Sequence, residues 1–223
     1  MSARPRWDDR AIAWLVRRLE VARAAVRPTT LSEVERKRDP FRLLVACIIS
    51  LRTKDQVTAE ASARLFARAS TPAALAALPE KTIARLIYPA GFYNTKARQI
   101  RAIARSIARE RAGRVPSTRE ELLALPGVGR KTANLVLGLG FGTPAICVDT
   151  HVHRISNRLG LVGTRTPEET EAALENVLPQ RYWIDINDLL VTFGQNVCHP
   201  TSPRCSTCPL TDRCPRVGVG RSR

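Results

Sequence analysis

The sequence predicts an all-α fold, and three observations carry that prediction. Apolar residues recur at helical spacing along most of the 223 residues. Cap and breaker residues stand where helices of ordinary length would start and stop. No run alternates apolar and polar residues as a half-buried strand would. Hydrophobic residues make up 44% of the chain, enough for a packed core in one large domain or two smaller lobes.

The elements follow in order. Ile12, Leu15, Val16 and Leu19 set one face of a first helix, which Pro28-Thr29-Thr30 breaks. Phe41 to Leu51 is almost continuously apolar and predicts a central buried helix. Thr53 with Gln56 three residues later predicts a capping box, with Val57, Ala61 and Leu65 inward. Thr71-Pro72 opens a short helix, because proline suits the first helical turn. Lys81 to Tyr88 is another, stopped before Pro89. Asn94 to Arg111 predicts a long helix with Ile100, Ile103 and Ile107 inside and an outer stripe of Arg101, Arg105 and Arg109. Gly113 is placed to end it. Ser117 or Thr118 caps the helix of Glu120 and Glu121, and Thr166-Pro167-Glu168-Glu169 is a further helix start. The last residues, Pro215 to Arg223, read as a flexible basic tail.

Charge narrows the partner. There are 36 basic residues against 20 acidic ones, a net charge of +16, and 31 of the basic residues are arginine. A field this positive favours a polyanion. No apolar run reaches the length of a membrane span, and the N-terminus lacks the apolar stretch of a secretory signal. The chain reads as cytoplasmic.

Two places concentrate chemistry. Around residues 120–138 a helix, a Pro126-Gly127-Val128-Gly129 turn and a second helix opening on Arg130-Lys131 form a hairpin. Backbone N–H groups at such a helix start are an anion site, and a lysine at the mouth can bind phosphate or act as a nucleophile. Asp149 follows 18 positions after Lys131 and is placed to cap the next helix. Near the C-terminus Cys198, Cys205, Cys208 and Cys214 form a C-x6-C-x2-C-x5-C run. Four thiols so close converge on a metal, and their chemistry alone leaves zinc and iron–sulfur both open. Cys47 and Cys147 read as inert core thiols, and His199 as a surface loop residue.

Hairpin, Lys131, Asp149 and cysteine spacing together resemble the endonuclease III family of DNA glycosylases, of the helix-hairpin-helix superfamily. The resemblance runs from about Pro40 to Cys214. It includes Thr53-Lys54-Asp55-Gln56-Val57-Thr58, the loop Gly91-Phe92-Tyr93-Asn94-Thr95-Lys96-Ala97, and Val148-Asp149-Thr150-His151. It implies two helical lobes with a DNA cleft between them. One is a six-helix bundle over residues 31–144. The other joins residues 1–30 to 145–214 and carries a [4Fe–4S] cluster on the four cysteines, which is mainly structural.

The implied activity is removal of oxidised pyrimidines from duplex DNA by a monomeric enzyme. Lys131 is the implied nucleophile, and it also cleaves abasic sites through a Schiff base. Asp149 is the assisting carboxylate. Gly127, Val128, Gly129 and Arg130 would hold the DNA backbone. Two departures stand out. Arg52 replaces a frequent glutamine that fills the hole left by the extruded base, and Phe92 replaces an aliphatic wedge. A monofunctional mismatch or adenine glycosylase, which lacks the Schiff-base lysine, is the close alternative. A non-catalytic DNA-binding iron–sulfur protein is the distant one.

Overall fold

The structure is a computed structural model that describes residues 7–26 and 39–223. The break at Pro28–Thr30 and the expected lobe boundary at residues 30 and 31 lie outside the described residues. Among the described residues every regular element is helical. The chain divides into two compact units. One is built from the N-terminal helix and Pro144–Arg223, the other from the intervening residues, which end at Thr143.

The second unit holds α2 (Pro40–Ser50), α3 (Asp55–Arg68), α4 (Pro72–Ala77), α5 (Glu80–Ile87), α6 (Tyr93–Glu110), α7 (Arg119–Leu123) and α8 (Arg130–Leu135). A π-turn, Val136–Gly140, continues α8. As its sequence requires, α2 is buried nearly all round, from Phe41 to Ile49. Asp39 starts it by accepting from the N–H groups of Phe41 and Arg42 at 3.0 and 3.1 Å. Ile100, Ile103 and Ile107 of α6 face the same core. Gly113, at φ +79°, ends that helix region by donating to the Ile107 carbonyl at 2.9 Å. Thr71 caps α4 and Thr118 caps α7.

One expected cap is absent. α3 starts at Asp55, Lys54 stands at the cap position, and no side chain caps it. The Thr53 hydroxyl is engaged elsewhere, by Lys96 at 2.8 Å and by the Gly91 N–H at 3.1 Å. Thr58 rather than Val57 joins Ala61 and Leu65 in the core.

The first unit holds α1 (Asp9–Ala24), α9 (Thr150–Arg158), α10 (Pro167–Val177) and α11 (Asp185–Asn196). α1 and α9 both pack on α11. Its core gathers Ile12, Leu15 and Leu19 with Val152, Ile155, Leu190 and Phe193. The segment after Cys214 is not a loose tail. Val217 donates to the Arg158 carbonyl at 3.1 Å, and Arg223 donates to the Pro203 carbonyl at 2.9 Å. The first bond ties the segment to α9 and the second ties its end to the cysteine loop.

Candidate nucleic-acid interface and cysteine centre

In the hairpin, the two glycines have different reasons. Gly127 has φ +78°, a left-handed backbone that favours glycine, and a Cβ there would displace only the movable end of the Gln99 side chain. Gly129 is the N-cap of α8 with φ −98° and ψ 176°, a conformation open to any residue. A Cβ on it would meet nothing within 4 Å. No side chain caps α8. Arg130 and Lys131 are exposed beyond it, while Thr132 to Leu135 are buried. Val128 is 7% exposed, so its side chain belongs to the core and only its backbone faces outward. Cys47 of α2 lies within electrostatic reach of Lys131. Burial pushes the Cys47 thiol up to about 12, and Lys131 opposes that shift. Cys47 and Cys147 are each 2% exposed, as inert core thiols should be.

Elsewhere in the same unit, Arg52 and Phe92 come together. The Arg52 guanidinium lies 5.6 Å from the centre of the Phe92 ring. Both residues are exposed, Phe92 by 63%, so it is not a core residue.

In the other unit, Asp149 caps α9. Its Oδ1 accepts from the N–H groups of His151 at 2.8 Å and Val152 at 2.9 Å. The segment before it, Ala145 to Val148, is buried. Asn187 of α11 holds that segment by donating to the Cys147 carbonyl at 3.0 Å. The carboxylate is therefore fixed from both sides. His151 and His153 point to different neighbours. His151 Nδ1 faces Arg154 Nη2 at 3.2 Å, while His153 Nδ1 lies 2.6 Å from the Thr170 hydroxyl.

Cys198, Cys205, Cys208 and Cys214 border one small hollow, together with Ile155, Leu159, Phe193, Leu210 and Val219. Burial raises the Cys208 thiol to about 11, and like-charge repulsion from the other three thiols adds to this. Burial raises Cys214 too. Four thiols that repel as thiolates ionise together only around a metal's positive charge, so the donor set fits a thiolate-bound group. Among the described residues no three His, Cys, Asp or Glu side chains are grouped as one metal ion requires.

Two arginines of α9 grip this loop. Arg158 donates to the His199 and Pro200 carbonyls at 2.6 and 2.7 Å and to Cys198 Sγ at 3.4 Å. Arg154 donates to the Cys198 carbonyl at 2.8 Å. Gly194 permits the approach, because a Cβ there would lie 2.3 Å from His151 Nδ1. His199 is half-buried in this loop rather than on its surface, and burial lowers its pKa. Sequence pattern missed Arg154, Arg158, Gly194 and Asn187. Their partners are mostly backbone atoms and side chains distant in sequence, which leave no periodic or spacing signal.

Residues 45–180 match the family model for the HhH-GPD superfamily of base excision DNA repair proteins. Fold and match together place the chain in that class of helical DNA repair protein. The chain is 50% identical to Endonuclease III of Thermotoga maritima over 188 residues, covering 83% of this chain and 88% of that one. It is similar to the structure of a trapped endonuclease III–DNA covalent intermediate, with TM-score 0.75 and 38% identity over 80% of this chain and 84% of that one. It is also similar to a thermostable thymine-DNA glycosylase, with TM-score 0.80 and 27% identity over 92% of this chain and 95% of that one. Within the superfamily, this chain belongs to the endonuclease III family.

Proposed function

We propose that this protein removes oxidised pyrimidines from duplex DNA and then cleaves the strand 3′ to the resulting abasic site. The observation that carries the reading is the pair of functional groups. An exposed lysine stands in the first turn of α8, and a carboxylate is fixed at the start of α9. The solved relative whose covalent DNA intermediate was trapped supports it.

The damaged nucleotide leaves the stack, because a base inside a duplex is out of reach. The neutral amine of Lys131 attacks C1′ of its sugar. The C1′–N bond breaks, and the base departs with the electron pair and takes up a proton. The C1′–O4′ bond then opens, O4′ is protonated, and an iminium joins C1′ to Lys131. The iminium acidifies C2′. A proton leaves C2′, and the electron pair expels the 3′ phosphate. Water hydrolyses the iminium and frees the lysine. Asp149 stabilises cationic character at the sugar and assists proton transfer. Gly127, Gly129 and Arg130 hold the phosphate backbone, with Val128 contributing only its main chain. The bare space at Gly129 supports that role, since a phosphate approaching the α8 N–H groups needs it. Arg52 and Phe92 occupy the gap and face the base left without a partner.

The four cysteines would hold a [4Fe–4S] cluster. Iron–sulfur rather than zinc is what the endonuclease III resemblance of the cysteine spacing implies. When bound, the cluster cross-links the C-terminal loop and takes no part in bond cleavage. The purified protein should be yellow-brown with about four iron and four sulfide per chain. Cys208→Ser should lose that iron while Cys47→Ala keeps it. A colourless, zinc-loaded protein of full activity would overturn the cluster assignment.

Borohydride reduction tests the chemistry. Wild-type protein should trap covalently on a duplex with one thymine glycol, and Lys131→Gln should bind that duplex yet never trap. Trapping by the variant would mean that another amine is the nucleophile. The likeness to a thymine-DNA glycosylase makes a G·T mismatch duplex the necessary control. Release of thymine without trapping would favour the monofunctional alternative.

A further inference from the structure

Lys96 is 3% exposed, and nothing in the chemistry above uses it. Its Nζ donates to the carbonyls of Ile49 at 2.7 Å and Leu51 at 2.6 Å, and to the Thr53 hydroxyl at 2.8 Å. Three acceptors match the three hydrogens of an ammonium. The two carbonyls lie at the C-terminal end of α2, where helix carbonyls lack internal partners and a cation is favoured. Thr53 also accepts from the Gly91 N–H at 3.1 Å. One buried lysine thus joins the turn after α2 to the turn before α6.

Those two turns carry Arg52 and Phe92. Both have left-handed backbones, with φ 51° and 57°. For residues other than glycine that conformation is strained, and it persists only where the surroundings over-determine it. Gly91 tightens the junction further, because a Cβ on it would lie 2.5 Å from the Arg52 carbonyl oxygen. We infer that Lys96 is a positioning residue that locks the two turns into one rigid element and so presents Arg52 and Phe92, stacked, to the unpaired base opposite the lesion. The inference rests on the glycosylase reading for what the pair meets.

The test places the fluorescent base 2-aminopurine opposite the lesion and compares wild type, Lys96→Met and Gly91→Ala. Gly91→Ala pushes the turns apart without touching the lysine, so it serves if Lys96→Met folds poorly. Both variants should raise KM about tenfold, the scale of a lost charge-assisted hydrogen bond. They should change kcat less than about twofold, because the interaction removed is made to the ground and transition states alike. The 2-aminopurine signal on binding should fall with them. Adding Lys96→Met to an Arg52→Ala/Phe92→Ala protein should cost nothing further, since the lysine acts through the pair.

Unchanged KM and 2-aminopurine signal in both variants would overturn the inference. So would full additivity with the Arg52→Ala/Phe92→Ala pair. Failure of the underlying reading looks different. Wild-type protein would then not trap with borohydride, whatever the 2-aminopurine signal shows.

Discussion

The helices that carry Lys131 and Asp149 start in opposite ways. α8 starts on Gly129, which offers no side chain to its own N–H groups. α9 starts on Asp149, whose Oδ1 takes two of them. A helix start needs its donors satisfied, by a side chain, by water or by a ligand. In the proposed function the glycine start leaves room for an external anion, whereas the aspartate start holds the proposed catalytic carboxylate still. On that reading one motif of local structure serves binding in one unit and precision in the other.

The largest expected effect breaks the second half of this comparison. Asp149→Asn keeps the cap oxygen and removes the charge. Melting should hardly move, because asparagine caps about as well as aspartate. Base excision should fall about 10²–10³-fold, as loss of preorganised transition-state electrostatics does. Asp149→Ala should add a stability loss of about 1 kcal/mol from the missing cap. Full turnover by Asp149→Asn in a single-turnover assay would reduce the residue to a cap.

A smaller effect breaks the first half. Gly129→Ser fits the observed backbone and meets no neighbour. It should cap α8 and leave stability equal or higher by roughly a few tenths of a kcal/mol. Its hydroxyl then competes with the phosphate that the proposed function places at this helix start. Affinity for undamaged duplex should fall about tenfold, the worth of one hydrogen bond to a charged group. The salt slope should also shrink by about one phosphate. Equal affinity and slope in a titration would show that the hairpin start is not a phosphate contact.

The candidate site residues of both units were legible in the sequence because they are spaced along it. Thiols, hairpin glycines and the capping aspartate each stand at short, fixed intervals. The braces were not legible. Arg158 reaches 41 positions along the chain to His199, and Lys96 reaches 47 back to Ile49. Each meets a backbone carbonyl, which every residue possesses and no pattern marks. Thr53 shows the same limit from the other side. Its spacing to Gln56 satisfies the capping-box rule, yet a tertiary partner has captured the hydroxyl. The tail misleads for a related reason. Its composition is that of a frayed end, but its backbone pairs with Arg158 and Pro203.

The smallest expected effect sharpens the comparison through those braces. The cysteine loop is held by two arginines. The turns of the bundle unit are held by a lysine that burial pulls from 10.5 down to about 8. Between those values the unfolded chain still holds a proton that the folded chain has released. Unfolding then takes up a proton, so the contribution of Lys96 raises stability as pH rises through this window. It is fully present above 10.5 and is lost as pH falls through about 8. Lys96→Met cannot titrate. The stability of wild type minus that of the variant, from urea unfolding, should therefore be flat below about 8 and climb towards 10.5. Cys47 titrates with the opposite sign, since burial raises it from 9.0 to about 12, but it is present in both proteins and cancels in the difference. A difference that falls with pH instead would mean that the three acceptors hold the ammonium more strongly than burial expels its charge. Structurally, the neutral amine has two hydrogens for three acceptors. Above about 8 Lys96 should therefore hold one of its three acceptors less well than below it.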